Sequence, residues 1–280
     1  MLDFAPYSRT AALTVCLILF AYRMSPARPL VVAANRDEFY ARASEAARYW
    51  NDSPHVFGGR DLVAGGTWLA VSTAGRFAAV TNYTDFLRTE NPPASRGDLA
   101  RGFLEGDAAA SAYAAGIDGA RYQGFNLLAF DGVDLVYACN RTGEMRVLQP
   151  GVYGIANSPL DDVWPKSARG IARLKSIAAT ASTDDLLKVL REESADYGPD
   201  GTEPESARSA TPAFLRGKDY GTRASTAVIF DCGHIAFAEQ QFGSMGKPGA
   251  RTIETIRIRH APARAIAEDG ASLGGRKAAR

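Results

Sequence analysis

Two short apolar runs, Cys16 to Tyr22 and Leu30 to Ala34, joined by a polar connection containing Pro26 and Pro29, constrain this chain most. Short apolar runs linked in this way read as neighbouring buried strands. Paired as a hairpin, the start of the first strand lies beside the end of the second, which closes in Asn35-Arg36-Asp37-Glu38. That pairing brings the thiol of Cys16 near Arg36, Asp37 and Glu38. A thiol beside a guanidinium and carboxylates is a reactive arrangement, because the cation favours thiolate and the acids hold the guanidinium in place. The same residues also fit a buried structural cysteine beside a surface ion pair at a strand end. Residue chemistry alone leaves both open.

A length of 280 residues has room for one large domain or two small ones and buries a sizeable core. A net charge of +1 gives no reason to expect nucleic acid or an anionic membrane as partner. The cysteines Cys16, Cys139 and Cys232 are widely spaced and odd in number, which fits neither a disulfide framework nor a zinc pattern but fits a reducing compartment. The apolar stretch from Ala11 to Tyr22 is too short to cross a bilayer as a helix. It is also a poor secretory signal, with Asp3 early and no small-residue cleavage site after it. A cytoplasmic protein without stable membrane insertion is expected.

Along the chain, 41–60 is polar and irregular, with turn signals at Asn51-Asp52-Ser53-Pro54 and Gly58-Gly59, and reads as a long surface loop carrying His55. The segment 65–83 reads as a strand, a tight glycine turn and a strand. Gly65 and Gly66 allow close backbone approach to a ligand or a neighbouring sheet. Asn82 closes the second strand, where its amide either serves turn chemistry or donates to a developing oxyanion. A helix capped by Ser95 and broken near Gly106 follows, then a meander from Phe125 to Leu148 and a strand ending at Asn157-Ser158-Pro159. Helices are expected from within 161–165 through Leu174, with Pro165 in the first turn, and from Thr183 or Asp184 to Glu193. The stretch 196–212 reads as an exposed mobile loop. A hairpin over 224–242, an edge strand over 253–258 and a disordered tail over 261–280 complete the chain. Strands, then helices, then strands again predict an α+β architecture with helices covering antiparallel sheets. No P-loop, dinucleotide fingerprint, zinc-protease motif or EF-hand pattern is present.

The run Asn35-Arg36-Asp37-Glu38 carries the four letters that name the NRDE family, also called the transport and Golgi organization protein 2 family. Further matches are Gly65-Gly66-Thr67-Trp68-Leu69, Val80-Thr81-Asn82-Tyr83, Ser95-Arg96-Gly97, Ala156-Asn157-Ser158-Pro159 and Tyr220-Gly221-Thr222-Arg223. From Cys16 to Phe242 the chain resembles that family, which implies one domain over 16–260. Met1 to Val15 matches nothing in the family, whose members start Met-Cys. The expectation is a non-native or processed extension over 1–15, removed before Cys16 or reflecting a translation start at Val15.

The family in turn is similar to the cysteine branch of the N-terminal nucleophile hydrolases, a four-layer αββα sandwich of antiparallel sheets that cleaves linear amide bonds. The resemblance implies Cys16 as nucleophile, Arg36 as its cationic neighbour, and Asp37 or Glu38 orienting the amine. It implies Asn82 and Asn157 as the oxyanion hole and Arg223 as a second cation, with Gly65, Gly66, Trp68 and Tyr83 facing substrate. In the acylases the acid lies three residues after the arginine, whereas here it is adjacent, so the choice between Asp37 and Glu38 stays open. The implied activity is hydrolysis of an amide or acyl bond in a small molecule, with no metal or redox cofactor. The alternative implied by the same resemblance is a non-catalytic carrier of haem or lipid. No haem-attachment signature is present, and His55, His234 and His260 are unplaced as ligands.

Overall fold

The computed structural model describes residues 16–83, 92–193 and 212–259. The expected extension at 1–15, the tail at 261–280 and all but Pro212 of the expected loop at 196–212 lie outside the described residues. The opening hairpin is β1 (Leu17–Ser25) and β2 (Arg28–Phe39). Next come β3 (Ser44–Tyr49), β4 (Val56–Asp61), β5 (Leu69–Ser72), β6 (Phe77–Asn82), α1 (Gly97–Glu105) and α2 (Ala110–Ala115). The meander supplies β7 (Phe125–Phe130), β8 (Leu135–Cys139) and β9 (Glu144–Val147), followed by β10 (Gly151–Ile155). Then come α3 (Pro165–Ile177), α4 (Thr183–Val189), β11 (Tyr220–Asp231), β12 (His234–Gly243) and β13 (Lys247–Arg257).

Two antiparallel sheets result, as the strand–helix–strand order predicts. One runs β10-β1-β2-β11-β12-β13, the other β3 to β9 in chain order. Side-chain alternation sets the packing, because successive residues of a strand face opposite sides. Ile18, Phe20 and Tyr22 of β1 meet Phe57, Leu69, Phe77 and Leu128 in the space between the sheets. Their alternates Leu17, Leu19 and Ala21 pack with Leu174, Leu186 and Leu190 from α3, α4 and its end. On the outer face of the other sheet, Leu99 and Phe103 of α1 cover Ala70, Ala78 and Leu127. Burial of each such large side chain contributes roughly 1.5–3 kcal/mol.

The segment 41–60 is not a loop, contrary to its polar look. It forms β3 and β4, with Ala47, Trp50, Val56 and Phe57 buried. β3 is an edge strand, so its polar residues can face solvent while single apolar residues reach the core. His55 lies exposed in the connection between them. β13 begins six residues before the expected 253–258 strand and does sit at a sheet edge. Among the described residues no helix is long and apolar enough to cross a membrane.

The antiparallel order has one consequence for chemistry. It gathers the start of β1, the end of β2, the end of β10 and the start of β11 at one end of the first sheet.

Candidate active site

Leu17 pairs with Asn35, Ile18 with Ile155, and Arg36 with Ala224. One step out from Leu17 sets Cys16 beside Arg36, and Asn157 lies two residues beyond Ile155 at the same end of the sheet. The sulfur of Cys16 accepts the backbone N–H of Asp37 at 3.4 Å. The residue is only half-buried, yet its thiol is enclosed. Burial and then the Asp37 carboxylate push that thiol up to about 11, against the opposing pull of Arg36 and Lys166. Arg36 pulls the thiol down, as a neighbouring cation should, but with Cys16 inside the chain the loss of hydration outweighs that pull.

The two adjacent acids have separate environments. Asp37 is buried, and its Oδ1 accepts the Thr222 hydroxyl at 2.7 Å. Its Oδ2 is buried with no hydrogen-bond partner. Burial pushes the Asp37 carboxyl up to about 6, partly offset by Lys166 and by the Thr222 hydroxyl. Glu38 is more open, with Oε2 3.9 Å from Arg36 and 3.8 Å from Arg42.

Arg36 points between the sheets. It donates to the Ser44 hydroxyl at 2.9 Å, lies 3.7 Å from Asp61, and stacks 4.3 Å above the Trp68 ring. Trp68, expected to face substrate, serves here as the bed of this guanidinium. Arg223 is the extra residue where the β2–β11 register slips by one, a β-bulge. Its guanidinium donates to the carbonyls of Phe39, Tyr40 and Arg42, so it braces the chain leaving β2.

Asn157 is buried, and its Oδ1 has no hydrogen-bond partner. Asn82 stands exposed at the end of β6 in the facing sheet. The ends of β6 and β10 do meet, because the Thr81 hydroxyl donates to the Ala156 carbonyl at 3.2 Å. Asn126 ties the same corner, donating at 3.1 Å to both the Thr81 hydroxyl and the Ser158 carbonyl. Tyr83 packs against the core between the sheets. Gly66 makes its close approach to the backbone of Gly97, where a Cβ would lie 2.4 Å from the carbonyl carbon. Gly65 adopts φ +76° with open space around it. Among the described residues no group of three or more His, Cys, Asp or Glu is placed to hold a metal ion.

The family model described as Transport and Golgi organisation 2 matches residues 15–244. The chain belongs to the Transport and Golgi organisation 2 family. The Transport and Golgi organization protein 2 homolog of Bos taurus is 35% identical over 257 residues, spanning 81% of this chain and 92% of the relative. Its Homo sapiens counterpart is 34% identical with the same coverage. Among solved structures, the Caenorhabditis elegans N-acylethanolamine-hydrolyzing acid amidase ortholog aligns at TM-score 0.46 and 11% identity, over 76% of this chain and 92% of that one.

In this family member the site contains groups that strand patterning did not single out. Asp61 closes β4 against Arg36 and Arg42. Glu239 lies buried between the sheets, accepting from the Ala47 backbone N–H at 2.7 Å and the Gln241 amide at 2.6 Å. Lys166, in the first turn of α3, is fully buried and interacts electrostatically with Asp37 and Cys16. A signal for Lys166 was present: it lies four residues before Gly170 and eight before Leu174, on the face that α3 buries.

Proposed function

We propose that this chain is a cysteine N-terminal nucleophile-type hydrolase that acts on a linear amide or acyl bond of a small molecule once Cys16 carries a free α-amine. The observation that carries this reading is a pair of buried acceptors without donors, Asp37 Oδ2 and Asn157 Oδ1, at the end of the sheet where Cys16 leads into β1. Buried acceptors left unpaired each cost about 1–3 kcal/mol. A primary amine on Cys16 brings the donors that an amide nitrogen in mid-chain does not have.

The chemistry follows from those groups. An α-amine has a pKa near 7.7–8, so at neutral pH it can take the thiol proton. Asp37 accepts from the amine and orients it. The thiolate attacks the substrate carbonyl, and the amides of Asn157 and Asn82 donate to the oxyanion, each worth about 3 kcal/mol. The amine then protonates the leaving nitrogen, and water hydrolyses the thioester. Arg36, fixed by Ser44 and Trp68, supplies positive charge beside the sulfur. With Cys16 held in a peptide bond there is no such base, and a thiol near 11 stays protonated at neutral pH. That form fits the non-catalytic carrier reading.

The test is a panel of acyl amides and thioesters presented to protein whose first residue is Cys16, confirmed by intact mass. Turnover that Cys16→Ala abolishes, with an acyl-enzyme detectable by mass, is the expected result. Neither turnover nor acylation by N-terminal Cys16 protein would overturn the hydrolase reading and leave the carrier.

A further inference from the structure

Beneath α4 the first sheet presents apolar residues such as Ala227 and Ala238. One row breaks that pattern. Asn35 pairs with Ser225, Ser225 with Gln240 and Gln240 with Arg251, so four polar residues cross β2, β11, β12 and β13 side by side. Residues paired across antiparallel strands share a face. The Ser225 hydroxyl donates to Asn35 Oδ1 at 2.6 Å, and these two satisfy each other. Farther along the row α4 does not close on the sheet. A cavity of about 180 Å³ opens there, floored by Ser225, Gln240, Phe242 and Arg251. Its roof is one stripe of α4 and the turn that follows. Asp184, Leu187, Lys188 and Arg191 recur at the three- and four-residue spacing that sets side chains on one helix face.

The charge of this lining is lopsided, because three cations face one carboxylate. That carboxylate, Asp184, pairs with Arg251, and Lys188 pairs with Asp185 at 3.1 Å. Arg191 differs. Its guanidinium lies 4.4 Å over the Phe214 ring and 4.9 Å over the Phe242 ring, with no hydrogen bond or ion pair among the described residues. Two aromatic faces thus hold a cation in place without using its N–H donors. We propose that this cavity binds a small monocarboxylate, its head group on Arg191 and its short apolar body between Leu187 and Phe242. A planar guanidinium fork matches one carboxylate bidentately. A phosphate dianion has further oxygens to satisfy, and here they would meet the apolar wall or Asp184. Size follows from volume. Pockets for drug-sized ligands run to about 300–1,000 Å³, whereas a cavity of about 150 Å³ takes up benzene, so a body of about six carbons fits. None of the lining residues is among the partners of Cys16, Arg36 or Asp37 described above, so the inference does not depend on the hydrolase reading.

The experiment is isothermal titration of the full chain with sodium hexanoate, set beside hexanamide and inorganic phosphate at equal ionic strength. Hexanoate should bind saturably at one site. Hexanamide, the same size without the charge, should bind about tenfold or more weakly, and phosphate no better than hexanamide. Arg191→Met keeps an apolar contact with both rings and should weaken hexanoate about tenfold or more. Arg191→Lys keeps the charge without the fork and should fall between that variant and wild type. Arg251→Gln, a change at an exposed ion pair, leaves Asp184 unbalanced beside the cavity and should also weaken hexanoate several-fold. It carries the test if Arg191→Met does not fold. Hexanoate that never saturates, or that binds the Arg191→Met and Arg251→Gln variants as it binds wild type, overturns the proposal. Hexanamide equal to hexanoate also overturns it, because the cavity is then an apolar hole without an anion site. Phosphate binding more tightly than hexanoate would exclude the monocarboxylate.

Discussion

The backbone N–H of Asp37 donates to the sulfur of Cys16 at 3.4 Å, across 21 positions of sequence. The side chain of the same residue takes the Thr222 hydroxyl. One residue at the end of β2 therefore holds the thiol with its backbone and anchors its carboxyl on Thr222 of β11. Arg36, its neighbour, faces the other side of the sheet, as strand alternation requires.

Thiol reactivity should depend on what precedes Cys16. While residue 15 is attached, the exposed Cys232 should react with iodoacetamide at pH 7.5 at least about tenfold faster than Cys16, whose buried thiol sits near 11. Freeing the α-amine should reverse that order. Peptide mass spectrometry on both forms checks it, and Cys16 reacting first in the longer form would contradict the burial argument.

Asp37 should leave a mark on stability against pH. Its carboxyl takes up a proton in the folded protein near pH 6, about two units above an unfolded aspartate. Between those values the folded state binds more protons, so the contribution of Asp37 grows as pH falls from about 6 to 4 and is lost as pH rises through 6. Denaturant titrations of wild type and Asp37→Asn should show wild type gaining on the order of 2 kcal/mol relative to the variant between pH 7 and 4. A constant difference would rule out the raised carboxyl.

Glu239 should hold the two sheets together. Its carboxylate takes the Ala47 N–H where β3 departs from its register with β4, so that amide has lost its strand partner. Glu239→Ala strands the buried N–H and should cost about 2–3 kcal/mol in chemical denaturation. Glu239→Gln keeps an acceptor and should cost clearly less.

The adjacent glycines should respond differently to alanine. Gly65→Ala meets only the cost of φ +76°, about 1 kcal/mol. Gly66→Ala drives a Cβ into the Gly97 backbone and should destabilise by more, on the order of 2–3 kcal/mol. Thermal melts of the two variants settle the order, and equal loss would mean that the start of α1 moves freely.

The sequence by itself determined the apolar strands of the opening hairpin, the meander and the β11–β12 hairpin. Apolar runs such as Leu17–Ala21 and Leu127–Phe130, punctuated by Gly75, Gly132 and Gly233, are local patterns, and local patterns select local structure. The pairing of Cys16 with the end of β2 was equally legible, because a hairpin ties register to the turn between its strands. Burial and long-range approach were not. Whether Arg36 or desolvation governs the Cys16 thiol depends on how tightly the two sheets and α3 close around it. The separate fates of Asp37 and Glu38 depend on Thr222 of β11, Lys166 of α3 and Arg42 in the chain after β2. The polar stretch 41–60 became two strands because neighbouring strands and Glu239 offered its backbone hydrogen bonds that its own side chains do not advertise. These outcomes turn on distances between residues far apart in the chain, which only the packed tertiary structure sets.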